Sequence, residues 1–509
     1  MSNKYSQADQ TRKNFFTNIL SLIANIVIGI YYTPFLVGSL GVSAYGVVPL
    51  ALIINQYIGT ITSALTSSFS RFYSISIQKK DDEQASRNIS TASGVVLIII
   101  AVLSPFLFAI IKNIDSVFNI PVEYVASSKL LFSFTIFSFF CSLFSSLLNV
   151  TLYSKNRLDV MNMIKIIRQV LKLVCIIIFF ELVAVDLVYV GLSNLSVEVL
   201  VLLISLYYFI KMRPKNLKVG FKYFNKATLI AIFAMTIWTL VHTLGDTAIY
   251  RIDNIAVNRL WGIKDSGMLG AISEFGSYIL LVTSTFASLF GPLMLIAYSK
   301  NRHDEVIDIA LNQSYIVGIV SAILAGVLSG FGYPLLKIWI NETVAQNSDW
   351  LIIKLIPIPF CAAGGVLAFV YRTWNKVKFP AIATLVLGFA NILFVLLSVS
   401  FIESLTVVTV ISISSFFAVI QSYYLNSFVV NKIYSGSGRS LLISSIKIIF
   451  TFASSYAICK MALEYITISS FPELFIGIVF AGSIISAIAY LILLSTEQRK
   501  MILNLIKRK

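Results

Sequence analysis

Continuous apolar runs of about twenty residues recur along this chain from near its start to near its end, and they constrain its fold more than any other feature. At about 1.5 Å of rise per residue, such a run forms a helix about 30 Å long, which matches the hydrocarbon core of a bilayer. Hydrocarbon offers no partner to a backbone N–H or C=O, so only helices or a closed barrel can span it. Barrel strands alternate apolar and polar residues over roughly ten positions. The runs here are unbroken, so helices are expected. Of the 509 residues, 12% are charged and 58% hydrophobic, against roughly 25% charged in soluble chains.

The runs place about 14 transmembrane helices. The first six are at 15–37, 46–69, 88–111, 129–153, 163–181 and 187–210. Six more follow at 228–252, 267–296, 309–334, 350–371, 380–402 and 405–430, then a last pair at 444–463 and 472–494. The run at 15–37 follows Lys4, Arg12 and Lys13 but is too long for the apolar core of a signal peptide. The longest polar break, 211–227, reads as a linker between a six-helix lobe at 1–210 and another at 228–430. The pair within 444–494 and a basic tail at 495–509 complete the plan. The expected fold class is an all-α polytopic membrane protein.

With the N-terminus in the cytoplasm, 31 of the 39 Lys and Arg fall on the cytoplasmic side. The other side holds eight: Lys112, Lys129, Arg251, Arg259, Lys264, Lys337, Lys354 and Lys460. That bias follows the positive-inside rule and puts both termini in the cytoplasm. The net charge of +16 is spread over many short loops, whereas a nucleic-acid-binding surface gathers it on one face. Cys141, Cys175, Cys361 and Cys459 lie inside apolar runs without metal-ligand spacing and read as small buried hydrophobes.

An internal repeat is visible. Shifted by 221 residues, 41–69 falls on 262–290 without a gap, with eight of 29 positions identical. The matches include Gly41 with Gly262, Gly46 with Gly267, Tyr57 with Tyr278, Thr62 with Thr283 and Ser63 with Ser284. Six helices per half is an even number, so both halves keep one orientation, related by a pseudo-twofold along the membrane normal as in parallel-repeat transporters. Alternating access is the expected use of such a repeat; a fossil of duplication is the other reading. Both repeated helices are polar: the second carries Asn55, Gln56, Thr62 and Ser63, the eighth Tyr278, Thr283 and Ser284. These residues line a wet cavity or hold helices together.

Charges inside the runs are the candidate functional residues, since each costs several kcal/mol at the bilayer centre. Lys165, Arg168 and Lys172 are spaced i, i+3, i+7 and share one helix face. They suit a diphosphate, which Arg grips with two hydrogen bonds, or they snorkel to headgroups. Arg251, Arg259 and Lys354 extend the cationic set. Asp246, Asp253 and Glu274 either couple transport to Na⁺ or H⁺ or pair with a structural cation. Otherwise no cofactor is expected. His242 has no second ligand at metal spacing.

The turn Leu40-Gly41-Val42-Ser43-Ala44-Tyr45-Gly46 has an echo in Arg251-Ile252-Asp253-Asn254, Leu260-Trp261-Gly262 and Gly267. With the twelve-plus-two helix plan, it resembles the Wzx-type polysaccharide and O-antigen flippases of the multidrug/oligosaccharidyl-lipid/polysaccharide (MOP) exporter superfamily. The resemblance implies two six-helix lobes around a cationic cavity in a bacterial inner membrane. It also implies an undecaprenyl-diphosphate-linked glycan as cargo, membrane lipids as surroundings, and a polysaccharide polymerase and chain-length regulator as partners. Related peptidoglycan-lipid flippases carry arginines inside their first two helices; this chain has none there. Two rivals stand beside this reading: a Na⁺- or H⁺-coupled small-molecule or drug exporter of the same fold, and a membrane polymerase or glycosyltransferase. The short outer loops, with isolated acids, count against an enzyme.

Overall fold

The computed structural model describes residues 2–53, 69–70, 72–77, 79–287, 294, 297–298, 300–374, 376–401, 405–496 and 498–499. Among them there is no β-strand. In the first part of the chain the helices are α1 Ser2–Leu40, α2 Val42–Ile53, α3 Asp82–Lys112, α4 Val122–Ser154, α5 Leu158–Leu182 and α6 Leu187–Met212. Then come α7 Lys226–Trp261, α8 Ile263–Ala287, α9 His303–Gly330, α10 Ser348–Thr373, α11 Lys378–Phe401 and α12 Val407–Ile433. The last two are α13 Gly438–Tyr465 and α14 Phe471–Ile492. Among the described residues, eleven helices are long and apolar enough to cross a membrane: α1, α3, α4, α6 and α8 to α14. Helices α5 and α7, of 25 and 36 residues, have the length, and they carry the charges that the sequence singles out.

Apolar runs mark where a helix meets lipid, not where its hydrogen bonding begins. So α1 starts at Ser2 and α13 at Gly438, ahead of their apolar stretches. Polar caps set several starts: Asp81 for α3, Asp186 for α6, Asn225 for α7 and Thr406 for α12 each accept a backbone N–H of the first turn. Helix α10 is broken at Ile356–Pro357, where proline lacks the N–H that a continuous helix needs.

The helices group into two compact units. One is Met1–Leu244 with Asn258–Gly267, the other Gly245–Val257 with Met268–Lys509. In the first, α4 packs along α6, with Gly191 of α6 against the Leu131 backbone, and α5 packs against α1. The polar stretch after α6 is strapped to α3. Backbone N–H groups of Lys218, Gly220 and Asn225 donate to the hydroxyls of Ser86, Ser90 and Thr91 at 3.0, 3.1 and 3.0 Å. Leu217 is buried with Phe69, Tyr73, Ile89 and Phe209. Linker composition conceals this docking, because its anchors are three hydroxyls on another helix.

The repeated turns meet within this same unit. Gly41 and Gly262 both have positive φ, 80° and 93°, where a side chain would be strained. Five residues on, Gly46 lies so close to Ile263 that a Cβ would run into the Ile263 carbonyl oxygen. Its counterpart Gly267 lies against Val42, with a Cβ 2.8 Å from the Val42 carbonyl oxygen. Val42 and Ile263 are themselves 221 positions apart, so each contact is the other with the two copies exchanged. Such reciprocity is the mark of a twofold contact.

In the second unit, Gly318, Gly326 and Gly330 of α9 lie against α13; Cβ atoms at the last two would sit 2.7 and 2.9 Å from the Phe452 and Tyr456 carbonyl oxygens. Gly326 and Gly330 form the small-xxx-small spacing that lets membrane helices approach closely. The Asn391 side-chain amide of α11 donates to the Ala248 and Ile249 carbonyls of α7 at 3.3 and 3.2 Å. Helix α12 carries a π-helical turn at Ile420–Leu425, packed on α10 at Gly364.

Candidate functional site

The charged face of α5 sits among α1 and α6. Arg168 brings its Nε to 2.9 Å from Oε1 of Glu198 on α6, with 30% and 15% of the two side chains exposed. This is a contact of charges without hydrogen-bond alignment, and Glu198 Oε2 accepts no hydrogen bond from the described residues. One turn further along α5, the Lys172 ammonium lies 4.6 Å from the Tyr32 ring centroid on α1, a cation–π contact. One turn back, Lys165 is exposed and donates to Asn162 at 3.5 Å. Arg168 and Lys172 are thus partnered by α6 and α1, and Lys165 by a residue of its own helix.

Where α5 begins, a polar seam ties it to α1. Gln10 donates to Asp159 at 2.9 Å, the Asp159 N–H donates to Asn14 at 2.8 Å, and Arg157 contacts Asp159 at 3.0 Å. The α5 face is therefore anchored at one end and carries its cations along its length.

In the second unit, Lys354 of α10 and Asp253 of α7 form an ion pair at 2.7 Å, with 16% and 3% of their side chains exposed. A buried acid held by a fixed cation clamps α7 to α10, which is the structural pairing that stands as one of the two sequence readings of Asp253. Asp246, half-buried, lies within electrostatic reach of Tyr250, Cys361 and Tyr371. The Tyr250 hydroxyl lies 3.1 Å from the Cys361 sulfur, to which Ser422 of the π-helical turn donates at 3.4 Å. Arg251 is half-buried and Arg259 exposed in the last turn of α7. Glu274 is half-buried on α8, within reach of Tyr278 one turn on.

The polar lining expected from the repeat divides. Asn55, Gln56, Thr62 and Ser63 lie outside the described residues. Thr283 is buried with its hydroxyl donating to the Ile279 carbonyl of its own helix at 2.8 Å. Ser284 is exposed and Tyr278 half-buried. No group of three or more His, Cys, Asp or Glu that could hold a metal ion occurs among the described residues.

Glu198 is the residue that sequence reasoning passed over. It is a lone acid in the middle of an apolar run, the same signal that singles out Arg168.

The length and apolarity of these helices make the chain a multi-pass membrane protein, and its fold is that of the MOP-superfamily transporters. A multidrug resistance MATE-family transporter of that superfamily, inward-facing, matches with TM-score 0.66 at 14% identity, over 84% of this chain and 99% of its own. Lipid II flippase MurJ, in an inward closed conformation, matches with TM-score 0.63 at 16% identity, over 94% of this chain and 98% of its own. An outward-facing MATE-family transporter gives 0.57 at 15% identity, over 84% and 96%. Among curated proteins, a membrane protein of Bacillus subtilis (strain 168), EpsK, described as uncharacterized, is 25% identical over 492 residues, 96% of this chain and 97% of its own. No protein-family model matches.

Proposed function

We propose that this chain is a flippase that moves an undecaprenyl-diphosphate-linked oligosaccharide repeat unit from the cytoplasmic to the outer face of a bacterial inner membrane by alternating access. Both termini are cytoplasmic in this reading. The observation that carries it is the pair of half-buried cations, Arg168 and Lys172, on a helix of membrane length. A fold shared with a lipid II flippase supports it. A lipid-linked glycan has a tail that remains in the bilayer and sugars whose unpaired hydroxyls would each cost several kcal/mol in hydrocarbon. Fixed cations hold the diphosphate, and polar side chains replace the water of the sugars. No bond is made or broken, so the chain is not an enzyme. A polymerase and a chain-length regulator act on the exported unit. Asp246, Asp253 and Glu274 are the candidate acids for Na⁺ or H⁺ coupling.

A small-molecule exporter is the second reading, favoured by the match to an inward-facing MATE-family transporter. Reconstituted vesicles separate the two: a fluorescent lipid-linked oligosaccharide crosses the bilayer under the first reading, a cationic dye under the second. In cells, Arg168→Ala and Lys172→Ala each lower surface polysaccharide while the protein level in the membrane is unchanged. Normal polymer from the double variant would sink the anion-holding role of α5.

A further inference from the structure

The Arg168–Glu198 contact has features that a purely structural ion pair lacks. Both side chains keep part of their surface open, at 30% and 15%. The approach lacks hydrogen-bond alignment, and one carboxylate oxygen accepts nothing from the described residues. A carboxylate and a phosphate present the same chemistry to a guanidinium: two anionic oxygens in a fork-matching plane. What stands beside Arg168 is thus a built-in mimic of the diphosphate proposed as cargo.

We infer that Glu198 is a resident competitor for this anion site. It occupies Arg168 when the site is empty and is displaced when a diphosphate arrives. This rests on the flippase reading and deepens it. Among the described residues, the charged groups that face Glu198 from a neighbouring helix are Arg168 and Lys172 on α5.

A competitor of this kind serves release. Two cations with no internal acid would grip a diphosphate and hold it. An acid within reach lowers affinity and offers a return path, so the cargo is exchanged and not trapped.

The test uses the purified full-length chain in nanodiscs, with undecaprenyl diphosphate as the probe and binding read by native mass spectrometry. Glu198→Gln keeps the shape and removes the charge, and is expected to bind about tenfold more tightly. Glu198→Asp restores the weaker binding. Arg168→Ala abolishes binding in either background. If Glu198→Gln binds no more tightly than wild type while Arg168→Ala still loses binding, the competitor role is wrong and the anion site stands. If wild type fails to bind the probe and Arg168→Ala changes nothing, the flippase reading itself falls. A melting curve on each variant confirms that the bundle is intact.

Discussion

Two ion pairs join helices within the two units, and they differ in openness. Lys354 and Asp253 meet at 2.7 Å through an aligned hydrogen bond, with the acid 3% exposed. Arg168 and Glu198 meet at 2.9 Å out of alignment, with the acid 15% and the base 30% exposed. The closed pair fixes α10 against α7. The open pair offers a face to an incoming anion. Burial and alignment, more than the mere presence of an acid and a base, separate a clamp from a site.

The largest expected effect comes from breaking the closed pair. Lys354→Ala leaves the Asp253 charge buried without its cation, a loss of roughly 3–5 kcal/mol. The membrane-inserted level and the melting temperature of the variant should fall sharply. Replacing both partners with apolar side chains, Lys354→Met with Asp253→Leu, should recover most of the loss, because no unpaired charge remains. If Lys354→Ala melts like wild type and instead loses transport, the pair is an open site and the contrast collapses.

Next in size are the reciprocal turns. Gly46→Ala and Gly267→Ala each drive a methyl into backbone of the opposite copy, overpacking that costs roughly 1–3 kcal/mol. The contact exchanges the two copies, so the two variants should lose similar stability, measured as melting temperature in detergent. A large cost at one glycine and none at the other would mean that the turns are not equivalent.

Breaking the open pair should matter least for stability among these three. The Arg168–Glu198 pair keeps more of its surface open than Lys354–Asp253, so Arg168→Ala should cost less stability than Lys354→Ala. Its defect should appear in polymer export alone. A variant that vanishes from the membrane would move Arg168–Glu198 into the same class as the closed pair.

The helices were legible because apolar run length is a one-dimensional signal, and the repeat because it is written in residue identity. The α5 cations were legible for the same reason: a charge stands out in an apolar run. What the sequence withheld were partnerships. Nothing in the spacing says that Lys354 on α10 reaches Asp253, some hundred residues earlier, or that the polar stretch after α6 docks on Ser86, Ser90 and Thr91. Those contacts depend on how helices cross. Glu198 carried a readable signal, but its meaning comes only from finding Arg168 beside it.

The smallest effect tests the exposed end of the same scale. Between α9 and α10, Lys337 lies 2.8 Å from Glu342, with about half of each side chain in water, and Tyr333 donates to the same carboxylate. The Lys337 hydrogen bond, and then that of Tyr333, hold the Glu342 carboxyl below its usual range. A depressed acid contributes stability that is complete above its unfolded value, about pH 4.3, and is lost as pH falls through its lower folded value. Glu342→Gln should therefore melt only slightly below wild type at neutral pH, and the gap should close in acid. A gap as wide as that of Lys354→Ala would show that exposure does not rank these pairs. A gap that widens in acid would mean that the carboxylate is destabilising where it sits.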